Sequence, residues 1–295
     1  MESMPSKSKI QDIVNLISVV KLIRKERYSC AFLFHRSFLL QLIIKLSGIK
    51  RIYGYKPAIN LFIKNNFSYK ININRTLQEV NLVNSSEFKI SHPTKLEFNI
   101  IGLTLPDHIS QLLPNEFVAC NPGGGNFHSS ARNRIWPVNS YIELISKLEI
   151  PVVILGSGNF DLKLGEKIIN SLPNHIIFNF VNKSSLSETA LILKKAILYF
   201  GNDSSLAFLS AALGVPSVVM YGPTQALAAN PLGNSLNHIL IGRTSCSPCY
   251  NPLDGVKGKM YKCKDNICMQ SISPSEVFSK INLLIKDALK NSPPD

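Results

Sequence analysis

The sequence predicts an α/β fold whose better-defined half is a parallel, doubly wound sheet. From residue 117 onward, short apolar runs suited to strands alternate with longer amphipathic stretches suited to helices. Three of the strand-to-helix turns are built from Gly, Ser, Asn and Asp, the residues that let a backbone turn sharply and approach a ligand. A chain of 295 residues, 45% of them apolar, is also long enough to bury a core in each of two domains.

Taken in order, residues 117–121 read as a strand, 138–148 as a helix and 151–155 as a strand. Residues 162–172 are a helix, 176–180 a strand, 186–195 a helix and 197–200 a strand. A helix over 204–213 is closed by Gly214, and a strand over 217–221 and a terminal amphipathic helix over 274–289 complete the block. Upstream, residues 29–34 suit a buried strand, and 37–46 a helix stopped by Gly48. Residues 96–103 read as another strand, and 104–116, with two prolines, as a linker. The expected domains are therefore 1–103 and 117–295, joined by 104–116.

Lys and Arg number 32 against 19 Asp and Glu, giving a formal charge of +13 in a chain only 17% charged. Such a surface favours anionic partners. The cations are scattered and not interleaved with aromatics as a base-stacking groove requires, so nucleic acid is not the expected partner. An anionic membrane face or a phosphorylated substrate fits the charge. The N-terminus does not follow the signal-peptide pattern, and cytoplasmic residence is the expectation. Residues 31–46 are interrupted by His35, Arg36 and Lys45 and fall short of the ~20 apolar residues of a spanning helix, so they read as buried strand and helix.

In a doubly wound sheet, ligands bind beyond the carboxyl ends of strands, where helix N-termini attract phosphate. Three loops occupy such positions. The first runs from Asn121 through Gly123, Gly124 and Gly125 to His128, Ser129, Ser130, Arg134 and Trp136. Its hydroxyls and guanidinium groups can hold phosphate oxygens through charge-assisted hydrogen bonds, and its plainer reading is a flexible turn with solvated cations. The second, Gly156 to Asp161, falls short of a dinucleotide fingerprint; Asp161 either meets a ribose hydroxyl or caps the next helix. The third, Gly201-Asn202-Asp203-Ser204-Ser205, crowds small polar groups at a helix entrance. Asp203, itself anionic, suits N–H groups, sugar hydroxyls or a cap better than phosphate. Trp136-Pro137 reads as a packing anchor for the first loop, and Pro223-Thr224 as either a donor contact or a capped turn.

The segments NPGGG…SSARNRIWP, VVILGSGNFD, LSETALILKKAILYFGNDSSLAFLSAALGVPSVVMYGPT and CSPC…CKDNICM, in this order and spacing, resemble glycosyltransferase family 9, which includes the lipopolysaccharide heptosyltransferases. The stretch YSCAFLFHRSFLLQLIIKLSGIKRIYGYKP resembles the middle of that family's N-terminal domain. The resemblance implies a GT-B fold: two Rossmann-like domains, the C-terminal one holding a nucleotide sugar. It also implies that Ser129 and Ser130 lie near the donor phosphates and that Arg134 stands where the family usually has a lysine. Asp203, Ser204 and Ser205 match the phosphate loop, and Asp161 lies near the acidic residue that contacts the nucleoside. Two residues depart from the pattern: Ser205 replaces a glycine and Phe208 a histidine.

The implied chemistry is inverting transfer without a metal, from ADP-heptose or another nucleotide sugar to a lipopolysaccharide or glycolipid acceptor at the cytoplasmic face of the inner membrane. Family members open with a strand and a Gly-Asp loop whose Asp acts as general base. No such segment precedes Ile10, so the first strands and that base are expected to be missing and no catalytic residue is identified. A nucleotide-sugar-binding scaffold without catalysis is the alternative. A third reading, a sugar-nucleotide epimerase, needs carboxylates in an interdomain cleft that the sequence does not identify.

Cys246-x2-Cys249-x13-Cys263-x4-Cys268 has a spacing compatible with one structural zinc site, against packed free thiols as the other reading. Cys30 and Cys120 read as small buried apolar residues.

Overall fold

The computed structural model describes residues 9–56, 65–124, 130–233, 237–251 and 258–290, and the chain divides into two compact units at His92/Pro93. The first unit contains α1 (Lys9–Lys25), β1 (Cys30–Leu33), α2 (Phe38–Leu46), β2 (Arg51–Tyr55), β3 (Asn65–Phe67) and α3 (Arg75–Asn84). Its strands form a parallel sheet in the order β1-β2-β3, with Cys30 opposite Arg51 and Tyr53 opposite Asn65. Alternation along the strands divides the side chains between two faces. Leu33 and Ile52 pack with Ile49 on one face, and Tyr53 and Tyr55 pack with Leu82 of α3 on the other. Gly48, at φ +87°, supplies the left-handed turn that ends α2.

Residues 31–46 do form a strand and a helix, but the helix is not buried as expected. Phe38, Leu39, Leu40 and Leu46 of α2 are exposed, and the side chain it buries fully is Gln41. A short run that is apolar on nearly every side hides which of its faces meets the core.

The second unit contains α4 (Asp107–Ser110), β4 (Val118–Asn121), a 3-10 helix (Ser130–Arg134), α5 (Val138–Ile145), β5 (Val152–Ile154), α6 (Asn159–Ser171), β6 (Ile177–Asn179) and α7 (Leu186–Lys195). It continues with β7 (Leu198–Asn202), α8 (Ser205–Ala212), β8 (Ser217–Tyr221), α9 (Ala226–Ala229), β9 (Asn237–Ile241), a second 3-10 helix (Lys259–Lys262), α10 (Ile267–Gln270) and α11 (Pro274–Lys290). Six parallel strands lie in the order β6-β5-β4-β7-β8-β9. The chain starts at the middle of the sheet, winds outward on one side, then returns to wind outward on the other. The reversal falls between β4 and β7, which is where a doubly wound sheet opens its ligand crevice.

Both faces of this sheet are covered, so the central strands β4 and β7 are buried throughout and run apolar up to Asn121 and Asn202 at their carboxyl ends. Val118, Cys120, Phe200 and Met220 face Tyr141 and Leu144 of α5 and Val277 and Ile281 of α11. Ala119, Val153, Tyr199 and Val219 face Ile192 and Leu193 of α7 and Ala207 and Leu209 of α8. Ser185 and Glu188 close a reciprocal capping box at the start of α7, which fixes where that helix begins.

Two expectations are corrected here. Residues 96–103 form no strand; they lie as an irregular cover, with Phe98 and Ile100 packed on the core and the Leu96 N–H donating to Leu232 O at 3.3 Å. Residues 104–116, expected as a linker, belong with the second unit, where Ile109 of α4 is 2% exposed. The sixth strand, β9, was not read from the sequence.

Candidate functional site

At the switch point the loops after β4 and β7 face each other across a pocket of about 320 Å³, near the lower end of small-ligand sites. Gly123, Gly124, Arg134, Ile135, Asn202, Asp203, Ser204, Ser205 and Phe208 line it. Gly124, Arg134, Asp203, Ser204 and Ser205, all expected site residues, are therefore brought together. Ser129 lies outside the described residues; Ser130 begins the 3-10 helix that ends at Arg134.

Ser204 is the N-cap of α8 and Ser205 its first residue, so unpaired N–H groups and the positive end of the helix dipole open toward the pocket. The Ser204 hydroxyl makes no cap bond and meets the Tyr199 hydroxyl at 3.4 Å. Opposite, the Arg134 guanidinium lies 3.6 Å from the Asp203 carboxylate, whose side chain is only 6% exposed. That is a loose ion pair. The Nε–H of Arg134 and Oδ2 of Asp203 are both buried and without a hydrogen-bond partner among the described residues. Unpaired buried groups of this kind cost about 1–3 kcal/mol each and are the ones a ligand is expected to satisfy. Burial and the Asp203 charge push the Tyr221 phenol well up, so its unpartnered hydroxyl stays protonated.

Asn202 holds the arrangement together, a role the sequence did not reveal. Fully buried, it donates through Nδ2 to Pro122 O at 3.1 Å and Gly123 O at 2.7 Å. Its Oδ1 accepts from the Trp136 backbone N–H at 2.9 Å and the Tyr141 hydroxyl at 3.2 Å. One side chain thus ties the first loop, the exit of the 3-10 helix and α5 to the end of β7. Trp136 anchors the first loop as expected: fully buried, it donates from Nε1 to Ile272 O at 3.0 Å and packs edge-on against Tyr141.

Asp161 does not line the pocket. At 1% exposure it accepts from the Ser157 N–H at 3.2 Å and Asn121 Nδ2 at 3.4 Å, joining the first loop to the second. Its carboxylate fills the space beside Gly123, where an added Cβ would lie 1.9 Å from Oδ1. Gly123→Ala is therefore expected to destabilise the second unit by about 1–3 kcal/mol through overpacking, read by urea denaturation. An unchanged midpoint would show that Asp161 yields freely.

The four clustered cysteines are free thiols, and among the described residues no group of three or more Cys, His, Asp or Glu is placed to hold a metal ion. Burial, and the neighbouring thiols of the cluster, push the Cys249 and Cys268 thiols up. Cys120 is buried as expected, whereas Cys30 is partly exposed. Among the described residues no helix is long and apolar enough to cross a membrane.

Comparison with known proteins places this site in context. The chain is 23% identical over 275 residues to lipooligosaccharide heptosyltransferase 2 of Campylobacter jejuni, an alignment covering 90% of this chain and 78% of that protein. Among solved structures it is similar to the E. coli ADP-heptose lipopolysaccharide heptosyltransferase II, with TM-score 0.67 and 17% identity over 94% of this chain and 82% of the other. It is likewise similar to a glycosyl transferase family 9 protein of Veillonella parvula, with TM-score 0.69 and 15% identity over 96% and 81%. These likenesses show the GT-B fold type, with a parallel α/β sheet in each unit. The model of glycosyltransferase family 9 (heptosyltransferase) matches residues 19–259, and the chain belongs to that family of glycosyltransferases.

Proposed function

We propose that the second unit binds ADP-heptose, or a closely related nucleoside-diphosphate sugar, in the pocket between the β4 and β7 loops, and that the protein transfers the sugar to a lipopolysaccharide core or similar glycan. One observation carries this reading. A helix N-terminus and an arginine whose Nε–H makes no hydrogen bond among the described residues share a pocket with a carboxylate held to that arginine by a loose 3.6 Å ion pair. A diphosphate matches the first two groups and a sugar hydroxyl the third; inorganic phosphate would leave Asp203 unsatisfied. The heptosyltransferase relatives and the ADP-heptose enzyme of similar fold support the choice of nucleotide and sugar.

In this reading an acceptor hydroxyl attacks the anomeric carbon from the face opposite the diphosphate, forming the new C–O bond with inversion. The bond to the diphosphate breaks, its electron pair leaves on the phosphate oxygen, and the hydroxyl proton is released to water. Arg134 and the N–H groups at the start of α8 take up the charge that grows on the leaving group, the kind of stabilisation that dominates many enzymes. Ser204 and Ser205 stand beside the same oxygens, and Asp161 works indirectly by fixing Gly123. Protein charge fills the role a divalent cation would otherwise have, so transfer should persist in excess chelator. The basic surface, +13 overall, suits an anionic acceptor at a membrane face.

The test is incubation with ADP-heptose and a heptose-deficient lipopolysaccharide core, with ADP release and acceptor mass followed together. A gain of one heptose per acceptor, matched by ADP and insensitive to chelator, is expected. ADP binding without any transfer would favour the scaffold reading, and transfer abolished by chelator would overturn metal independence.

A further inference from the structure

The cysteine-bearing segment reaches the donor pocket through Tyr250. The Arg134 guanidinium lies over the Tyr250 ring, 5.0 Å from its centroid, while the Asp203 carboxylate lies 3.6 Å from one of its terminal nitrogens. The ring is itself fixed: the Cys249 and Tyr250 N–H groups both donate to Pro223 O, at 2.9 and 2.8 Å, hanging this turn on the loop after β8. Residues flanking Arg134 are held by the same segment. Asn133 donates from Nδ2 to Met260 O at 2.6 Å, and Asn266 donates from Nδ2 to Ile135 O at 2.8 Å.

We propose that Tyr250 is a positioning residue for donor recognition, acting through Arg134; this rests on the reading of the pocket as a diphosphate site. An arginine side chain has many rotamers, and freezing it in the pocket opposes binding. A ring 5.0 Å from the guanidinium carbon removes that freedom without using any N–H in a hydrogen bond. The Asp203 contact alone is too loose to orient the group. The Nε–H, which makes no hydrogen bond among the described residues, is left for a phosphate oxygen. The segment around the cysteines thereby serves the donor site by setting the direction of its cation.

The experiment is a calorimetric titration of the full chain with ADP, using wild type, Tyr250→Phe, Tyr250→Leu, Arg134→Ala and the double variant Tyr250→Leu/Arg134→Ala. Tyr250→Phe keeps the π face and should bind within about twofold of wild type. Tyr250→Leu should weaken ADP roughly three- to thirtyfold, the range of a cation–π contact, and should add nothing once Arg134 is gone. Tyr250→Met, which fills similar space without a π face, should repeat the leucine result and guards against a folding defect peculiar to leucine. An undiminished affinity in Tyr250→Leu, or an equal loss with and without Arg134, overturns the positioning role while leaving the diphosphate site intact. Absence of ADP binding in wild type would sink the diphosphate reading and, with it, this one.

Discussion

Asn202→Ala is expected to lower the stability of the second unit by about 3–5 kcal/mol, because a buried side chain that makes four hydrogen bonds is removed and its partners are left unpaired. The carbonyls of Pro122 and Gly123 and the Trp136 N–H lose these bonds at a position where Asn202 and Trp136 are both fully buried. In a unit of this size the loss should appear as a drop of roughly 5–15 °C in its melting transition. Asn202→Asp separates the contributions. It keeps an acceptor for Trp136 and Tyr141 but removes both donated bonds and sets a charge in a fully buried position, so it should be at least as damaging as alanine. A melting point within two degrees of wild type, roughly the ordinary effect of a surface substitution, would mean that the two loops are held by other contacts.

The second large effect falls on binding. Arg134→Ala should weaken ADP or ADP-heptose by roughly 10²–10³-fold, the loss seen when a charged donor to a phosphate or oxyanion is removed. It should also abolish the rise in melting temperature that these ligands give the wild type. Two terms act together: the cation is lost, and the Asp203 charge it partly offsets is left facing the incoming diphosphate. The free protein should be nearly as stable as wild type, because the Arg134 side chain is 27% exposed and its ion pair is loose. Arg134→Lys keeps the charge but not the planar fork and should fall between the two. A full ligand-induced shift in Arg134→Ala would remove this residue from the donor site.

The second unit is legible because β4 to β8 are short apolar runs ended by Gly, Asn or Asp, and because α7 carries a capping box and α8 is stopped by Gly214. Residues 117–121, 186–195 and 217–221 needed no tertiary information. The first unit was harder to read. In the aliphatic run of α2 nothing local marks Phe38 and Leu39 as exposed. In the second unit, residues 96–100 alternate apolar and polar side chains as a strand would, yet Phe98 and Ile100 serve as a cover over the core while Ile101 and Leu103 are exposed. β9 is half-buried along its length and follows a polar stretch, so its pattern is weak.

The site shows the same division between local and distant information. Ser204 and Ser205 at a helix entrance could be read from chemistry and position alone. Asp161 could not be told from a ligand contact, because its burial under Gly123 comes from a loop 38 positions earlier. Asn202 was invisible for a similar reason: the groups it bonds lie 61 to 80 residues away. The stacking of Arg134 on Tyr250 likewise joins segments that only the fold brings together.

If the β4 and β7 loops form a nucleoside-diphosphate sugar site, a crystal structure of the protein grown with ADP will show it. The diphosphate is expected against the N-terminus of α8, with its oxygens on Ser204, Ser205 and the Nε–H of Arg134. A nucleotide seated elsewhere, with the Arg134–Asp203 pair left unchanged, would contradict it.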